Sequence, residues 1–218
     1  MIRTVEDLCQ QVDDDFIWRR RELTTLKTLV DKYQGDQLYS RVLIRGAIAL
    51  LYAHWEGFVK TSSTLYLEYV ASHRLTHRQL ATNFVGLTLR SKFNEFSESK
   101  KMSSGNEIAH FFCTKLDDRS NIPYRNGVDT KSNLSSKVLI DIVQALGLDV
   151  EPFETSLNFI DANLVNNRNQ VAHGEALDMS FNEYVALHDK VEELINSFKN
   201  QVQNAASLNK FRRDEITI

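Results

Sequence analysis

The sequence predicts an all-α fold: an antiparallel helical bundle with short additional helices between its long ones. Three observations predict it. Among 218 residues there are only two prolines and eight glycines, too few breakers for many short strands. Apolar residues recur at three- and four-residue steps over long stretches. Those stretches open on capping residues and stop at glycines.

The first helix runs from Thr4 to about Tyr33, striped by Val5, Leu8, Val12, Phe16, Leu23, Leu26 and Val30. Gly35 and Asp36 break it and cap the next. The second runs from Gln37 to about Ser72. Between Val42 and Val59 it is apolar nearly all round, which marks the buried centre of a domain. Arg45, His54 and Glu56 lie within that stretch and need polar partners there.

From His77 to Lys101 the pattern weakens; a helix is expected over Phe84–Phe96 and a polar break over Ser97–Ser103. Ser104-Gly105-Asn106-Glu107 has the form of a capping box opening a short helix through Leu116. Asp117–Ser132, with Pro123 and Gly127, reads as a long mobile loop. Ser135–Leu146 is a short amphipathic helix. Another starts at Phe153 or Glu154, runs to His173 and stops at Gly174, a left-handed cap. Ser180-Phe181-Asn182-Glu183 is a second capping box, and the helix behind it is striped from Phe181 to Val202. The pattern ends at Ala206. One domain over 1–206 is expected, with a mobile tail over 207–218 that orders on a partner.

Composition narrows the function classes. A hydrophobic fraction of 42% fits an ordinary globular core. The formal charge of −3 gives no broad positive field, so contact with nucleic acid must rest on a local patch. Arg19-Arg20-Arg21 is one candidate for touching RNA phosphates. Cys9 and Cys113 stand far apart and form neither a zinc pattern nor a disulfide framework, so a cytoplasmic setting is expected. The N-terminus has no apolar signal core, and the most apolar run, Gly46–Ala53, is shorter than the ~20 residues of a membrane span. No membrane partner is expected. His73 and His77 are one turn apart, as zinc ligands can be, without an evident third ligand. No nucleotide fingerprint or nucleophile elbow is present, so no cofactor and no metal are expected.

One constellation carries chemistry: Arg168-Asn169-Gln170-Val171-Ala172-His173. On a helix, Asn169 and His173 share a face one turn apart, and Arg168 lies roughly 140° away on a side chain long enough to swing toward them. His173 stands in the last turn before Gly174, where the helix dipole favours a cation. Such a set suits phosphodiester cleavage in RNA, which brings its own nucleophile, the 2′-OH. A His moves protons, an Arg binds non-bridging oxygens and an Asn orients either. One motif supplies one proton-transfer group where the reaction wants two, so two copies meeting at a twofold axis complete the set.

Asn167-Arg168-Asn169-Gln170-Val171-Ala172-His173-Gly174 resembles the Arg-polar…His signature of HEPN-domain ribonucleases. Leu51-Tyr52-Ala53-His54-Trp55-Glu56-Gly57-Phe58 resembles the central helix of their RiboL-PSP-type subgroup. The likeness extends from the first helix to about Ala206. It implies a helical bundle, metal-independent RNA cleavage at a site composed by two subunits, and a role as a toxin or abortive-infection effector. It implies Arg168, Asn169 and His173 as catalytic residues, with Glu56 as acidic support from the second helix. A partner such as an antitoxin would hold the enzyme silent. The alternative is a non-catalytic module of the same fold that binds RNA or a partner protein.

Overall fold

The structure, a computed structural model, describes residues 2–99 and 102–213. It is all-α. Three long helices form the frame: α1 (Val5–Lys32), α2 (Gln37–Ser72) and, last in the chain, α9 (Phe181–Ser207). Between them run α3 (Thr82–Ser99), α4 (Met102–Thr114), α5 (Ser136–Ala145), α6 (Glu151–Glu154), α7 (Leu157–Phe159), a π-helical stretch (Ile160–Val165) and α8 (Asn166–Ala172).

Each long helix starts where its sequence says. Thr4 Oγ1 accepts the Asp7 N–H, and Asp36 accepts from Leu38 and Tyr39. Ser180 and Glu183 form a reciprocal capping box at the head of α9. The three helices bury one another. α2 contributes Leu51, Trp55, Phe58, Val59 and Tyr66, α1 contributes Leu8, Val12, Leu23 and Val30, and α9 contributes Tyr184, Val191, Phe198 and Val202. By length and composition α2 could cross a membrane, but half of its most apolar window is buried by protein; here it is the core helix.

Five expectations change. α3 continues to Ser99, into the stretch expected as a polar break over Ser97–Ser103. α4 opens at Met102, before the pattern read as its cap, so Ser104 lies inside the helix. The loop after α4 is packed rather than loose. Ile122 and Thr130 are buried, Ser120 bonds Leu75 O through both its N–H and its hydroxyl, and a Cβ on Gly127 would meet Pro123 O at 2.5 Å and Leu67 at 2.6 Å. The tail is docked as far as Arg213. Phe211 is fully buried against Tyr69 and His73, and its carbonyl accepts the Ala81 N–H. A lone Phe after a lost period leaves no sequence pattern, yet its ring alone fills a gap in the core. The rest of the expected tail, 214–218, lies outside the described residues. Finally, the helix expected to run unbroken to His173 is α6, α7, a π stretch and α8 in succession.

Candidate active site

α8 carries the motif and packs on α2. Its C-terminus is closed by two bonds: Glu175 N–H to Gln170 O and Gly174 N–H to Val171 O, with Gly174 at φ +74°. This is the Schellman closure that needs a residue tolerant of the left-handed region, as anticipated for Gly174. Arg45 from α2 donates to Glu175 O and ties down the chain beyond the motif. His173 is the capping residue itself; its N–H reaches Asn169 O at 2.9 Å, and its side chain is exposed. Asn169 is half-buried beneath it by one turn.

Arg168 turns the other way. Its guanidinium lies over the Tyr52 ring, with Cζ 4.0 Å from the centroid. Nη2 donates to Ser132 O at 3.1 Å and Asn133 Oδ1 at 3.0 Å. Tyr52 is buried, and its hydroxyl accepts the Leu134 N–H at 2.6 Å. Burial pushes the Tyr52 phenol above its ordinary value, outweighing the Leu134 N–H and the adjacent Arg168 cation that pull it down. Asp161, inside the π stretch, accepts from Ser136 N at 2.8 Å and Ser136 Oγ at 2.5 Å, beside the Ser135 cap of α5. The segment 132–136 is thus pinned between α2 and the motif helix. Just before it, Lys131 and Ser132 both adopt positive φ, 54° and 53°, a strained pair set against the motif arginine.

Glu56 stands one turn along α2 from Tyr52, half-buried, and forms no ion pair among the described residues. The two other polar residues of that central α2 stretch are engaged elsewhere: Arg45 with Glu175 O, and His54 with Glu22 at 2.8 Å.

Arg19 turns inward rather than to the surface. It is only 8% exposed, pairs with Asp15 at 2.8 Å and donates to His54 O. Its position on the apolar stripe of α1, between Phe16 and Leu23, was the sign that it turns inward. Arg20 and Arg21 are exposed, and Arg20 lies 3.5 Å from Glu192. His73 stacks on Phe211 and His77 against Phe111, so that pair does not converge on a common ligand. One group among the described residues has metal-ligand spacing: His188, Asp189 and Glu192 on α9, within 4.8 Å of one another. Lys27 sits 2.6 Å from Asp189, and with Arg20 it already neutralises the carboxylates. Burial pushes the Asp189 carboxyl up, but the contacts from Lys27 and His188 outweigh it and hold it below the ordinary range.

Tyr52, Ser132, Asn133 and Asp161 were not singled out from the sequence. Only Tyr52 left a trace there, inside the central-helix run; the others are ordinary loop and helix residues until the fold closes.

The helical frame, the central α2 run and the capped Arg168–His173 turn coincide with one family. The RiboL-PSP-HEPN family model matches residues 14–204. The chain belongs to that family. No curated protein and no solved structure matches it. As a HEPN domain, its match covers α1 to α9 and so includes both the motif and the α2 residues that receive it.

Proposed function

We propose that this HEPN protein is a metal-independent endoribonuclease, acting in the cytoplasm as a toxin or defence effector and cutting RNA at a site shared by two subunits. The observation that carries the reading is the arrangement of the motif: an exposed His173 on a capped helix end, Asn169 one turn below it, and Arg168 of the same short helix anchored on Tyr52. In this reading one His173 takes the proton of the 2′-OH, whose oxygen attacks the adjacent phosphorus. The other subunit's His173 protonates the departing 5′-oxygen. Arg168 stabilises charge on the non-bridging oxygens and Asn169 orients the reacting groups. The products are a 2′,3′-cyclic phosphate and a free 5′-hydroxyl. Glu56, unpaired among the described residues, orients or balances the charge of this machinery.

An apolar surface beside the motif supports the twofold arrangement. On α2, Tyr52 faces α8 and Arg45 the chain just beyond it, and Tyr39, Val42, Leu50 and Ala53 lie about 70–150° further round. Leu38, Tyr39 and Val42 are 71%, 58% and 61% exposed. Obligate dimer interfaces resemble a core cut in half, and this stripe has that character. Leu164 on the π stretch lies in the protomer's own core and Val171 on α8 packs against it, so neither belongs to this stripe. The same face suits an antitoxin or regulatory partner that silences the enzyme by covering it. A non-catalytic interaction module is favoured only by the hold of the loop on Arg168.

The test compares wild type with His173→Ala in chelator, by growth arrest on expression and by cleavage of RNA in vitro. Cleavage by wild type alone, with cyclic phosphate ends, is expected. Excess His173→Ala subunits mixed into wild type are expected to depress activity. Products with 5′-phosphates, or a monomer cutting at full rate, would overturn this mechanism.

A further inference from the structure

Arg168 is held by groups that the nuclease chemistry does not itself require. Tyr52 lies under the face of the guanidinium, 4.0 Å from centroid to Cζ. Nη2 has two hydrogens, and Ser132 O and Asn133 Oδ1 take them at 3.1 and 3.0 Å. Nε is enclosed, with no hydrogen-bond partner among the described residues. Nη1 is the nitrogen that makes no hydrogen bond among them and remains able to donate to a substrate. The clamp is itself fixed. Tyr52 is buried, and its hydroxyl holds Leu134, the residue after Asn133. The ring therefore sets the plane of the guanidinium, and the Ser132–Asn133 edge sets its rotation within that plane.

We propose that Tyr52 and Asn133 are positioning residues for Arg168, fixing the guanidinium so that its Nη1 edge meets the phosphate of the substrate RNA. The proposal rests on the nuclease reading. It makes the productive contact a matter of orientation rather than of charge alone. An arginine free to rotate keeps its charge but spends most of its time misaimed, and misplacement by about 1 Å can cost ~10² in rate. The strained pair Lys131–Ser132 fits this role, since it presents the Ser132 carbonyl to Nη2.

Three variants test it: Tyr52→Leu removes the ring, Tyr52→Phe keeps the ring and drops the hydroxyl, and Asn133→Ala removes one acceptor from an exposed site. Two readouts are taken on the full-length protein. One is kcat and KM on an RNA oligonucleotide in chelator. The other is the NMR resonance of the Arg168 Nε–H, which the Tyr52 ring current shifts whether or not the protein cuts RNA. Tyr52→Leu is expected to lower kcat by ~10–100-fold with KM within ~3-fold, and to move the Arg168 resonance. Tyr52→Phe, which gives up only the hold on Leu134, is expected to lose several-fold less kcat than Tyr52→Leu and to leave that resonance shifted by the ring. If Tyr52→Leu does not fold, Asn133→Ala decides, with an expected kcat loss of several fold at unchanged KM.

Wild-type kcat in Tyr52→Leu or, should that variant not fold, in Asn133→Ala overturns the proposal and leaves the nuclease reading standing. So does a Tyr52→Phe variant as impaired as Tyr52→Leu, because the ring then does not set the position. A wild type that cuts no RNA while Tyr52→Leu still moves the Arg168 resonance removes the nuclease reading and this proposal with it.

Discussion

Gly57 on α2 and Arg19 on α1 occupy complementary space: a Cβ at position 57 would stand 2.7 Å from Arg19 Nη1. The arginine lies flat in the gap the glycine leaves, paired with Asp15 and bonded to His54 O. Glycine inside a helix costs about 1 kcal/mol against alanine, so its presence there marks a packing demand. Gly57→Ala is expected to destabilise the wild type by about 1 kcal/mol, because expelling a buried guanidinium from its hydrogen bonds outweighs the propensity gain. In an Arg19→Ala background the same change is expected to stabilise. Urea unfolding of the four proteins of the cycle measures the coupling; equal effects in both backgrounds would show that the two residues do not compete for space.

His173 and Arg168 are expected to separate when stability is measured beside activity. Both alanine variants should lose ~10²–10⁴ in cleavage rate. His173 is exposed and its side chain bonds nothing among the described residues, so His173→Ala should leave the unfolding midpoint unchanged. Arg168→Ala gives up two hydrogen bonds and the stack on Tyr52, and is expected to cost about 1–3 kcal/mol. A reversed order, with His173→Ala the less stable protein, would contradict the geometry of the site.

Acid is expected to weaken the fold before any carboxylate titrates. Burial lowers the pKa of His54, His73 and His77 below the ordinary 6.5. Glu22 pulls His54 the other way, as Asp118 does His77, but burial prevails; Arg212 adds to the effect at His73. A depressed histidine pKa means that the unfolded chain binds the proton more readily. Stability is therefore complete above about pH 6.5 and falls as pH drops from there toward the folded values. Urea midpoints between pH 7.5 and 5 check the sign. A flat or rising profile on acidification would refute it, and His54→Gln should shallow the slope.

Phe211 tests where the domain ends. Replacing a fully buried phenylalanine by alanine typically costs about 3–5 kcal/mol. Phe211→Ala, or truncation after Ala206, is therefore expected to destabilise the whole bundle rather than trim a tail. Truncation with no change in melting temperature would place the boundary back at Ala206.

The long helices were legible because their information is local. Thr4, Asp36 and Ser180 announce α1, α2 and α9 by capping chemistry, and the stripes behind them name the core. The motif turn was legible for the same reason, since Gly174 closes it through neighbours in sequence. The hidden features depend on distant partners. That Arg168 meets Tyr52 and Asn133, that Phe211 returns to Tyr69, and that the loop through Gly127 rests on Leu67 are facts of packing, and no period records them. The fracture of the motif helix leaves no mark in the sequence because its pieces, three to seven residues each, are too short to set a period of their own.

That π stretch sets the angle at which the motif is delivered. A π turn is an α-helix carrying more residues than its hydrogen-bond ladder needs, so the residues after Val165 sit rotated from where an unbroken helix would leave them. Each residue removed between Ile160 and Val165 turns the downstream helix by roughly 100°. Shortening this stretch by one codon would swing Arg168 off the Tyr52 ring while every side chain of the motif stayed in place along the chain. Lineages that drift in length here change aim before they change chemistry, and an intact Arg-Asn…His string in a relative does not by itself certify a working site.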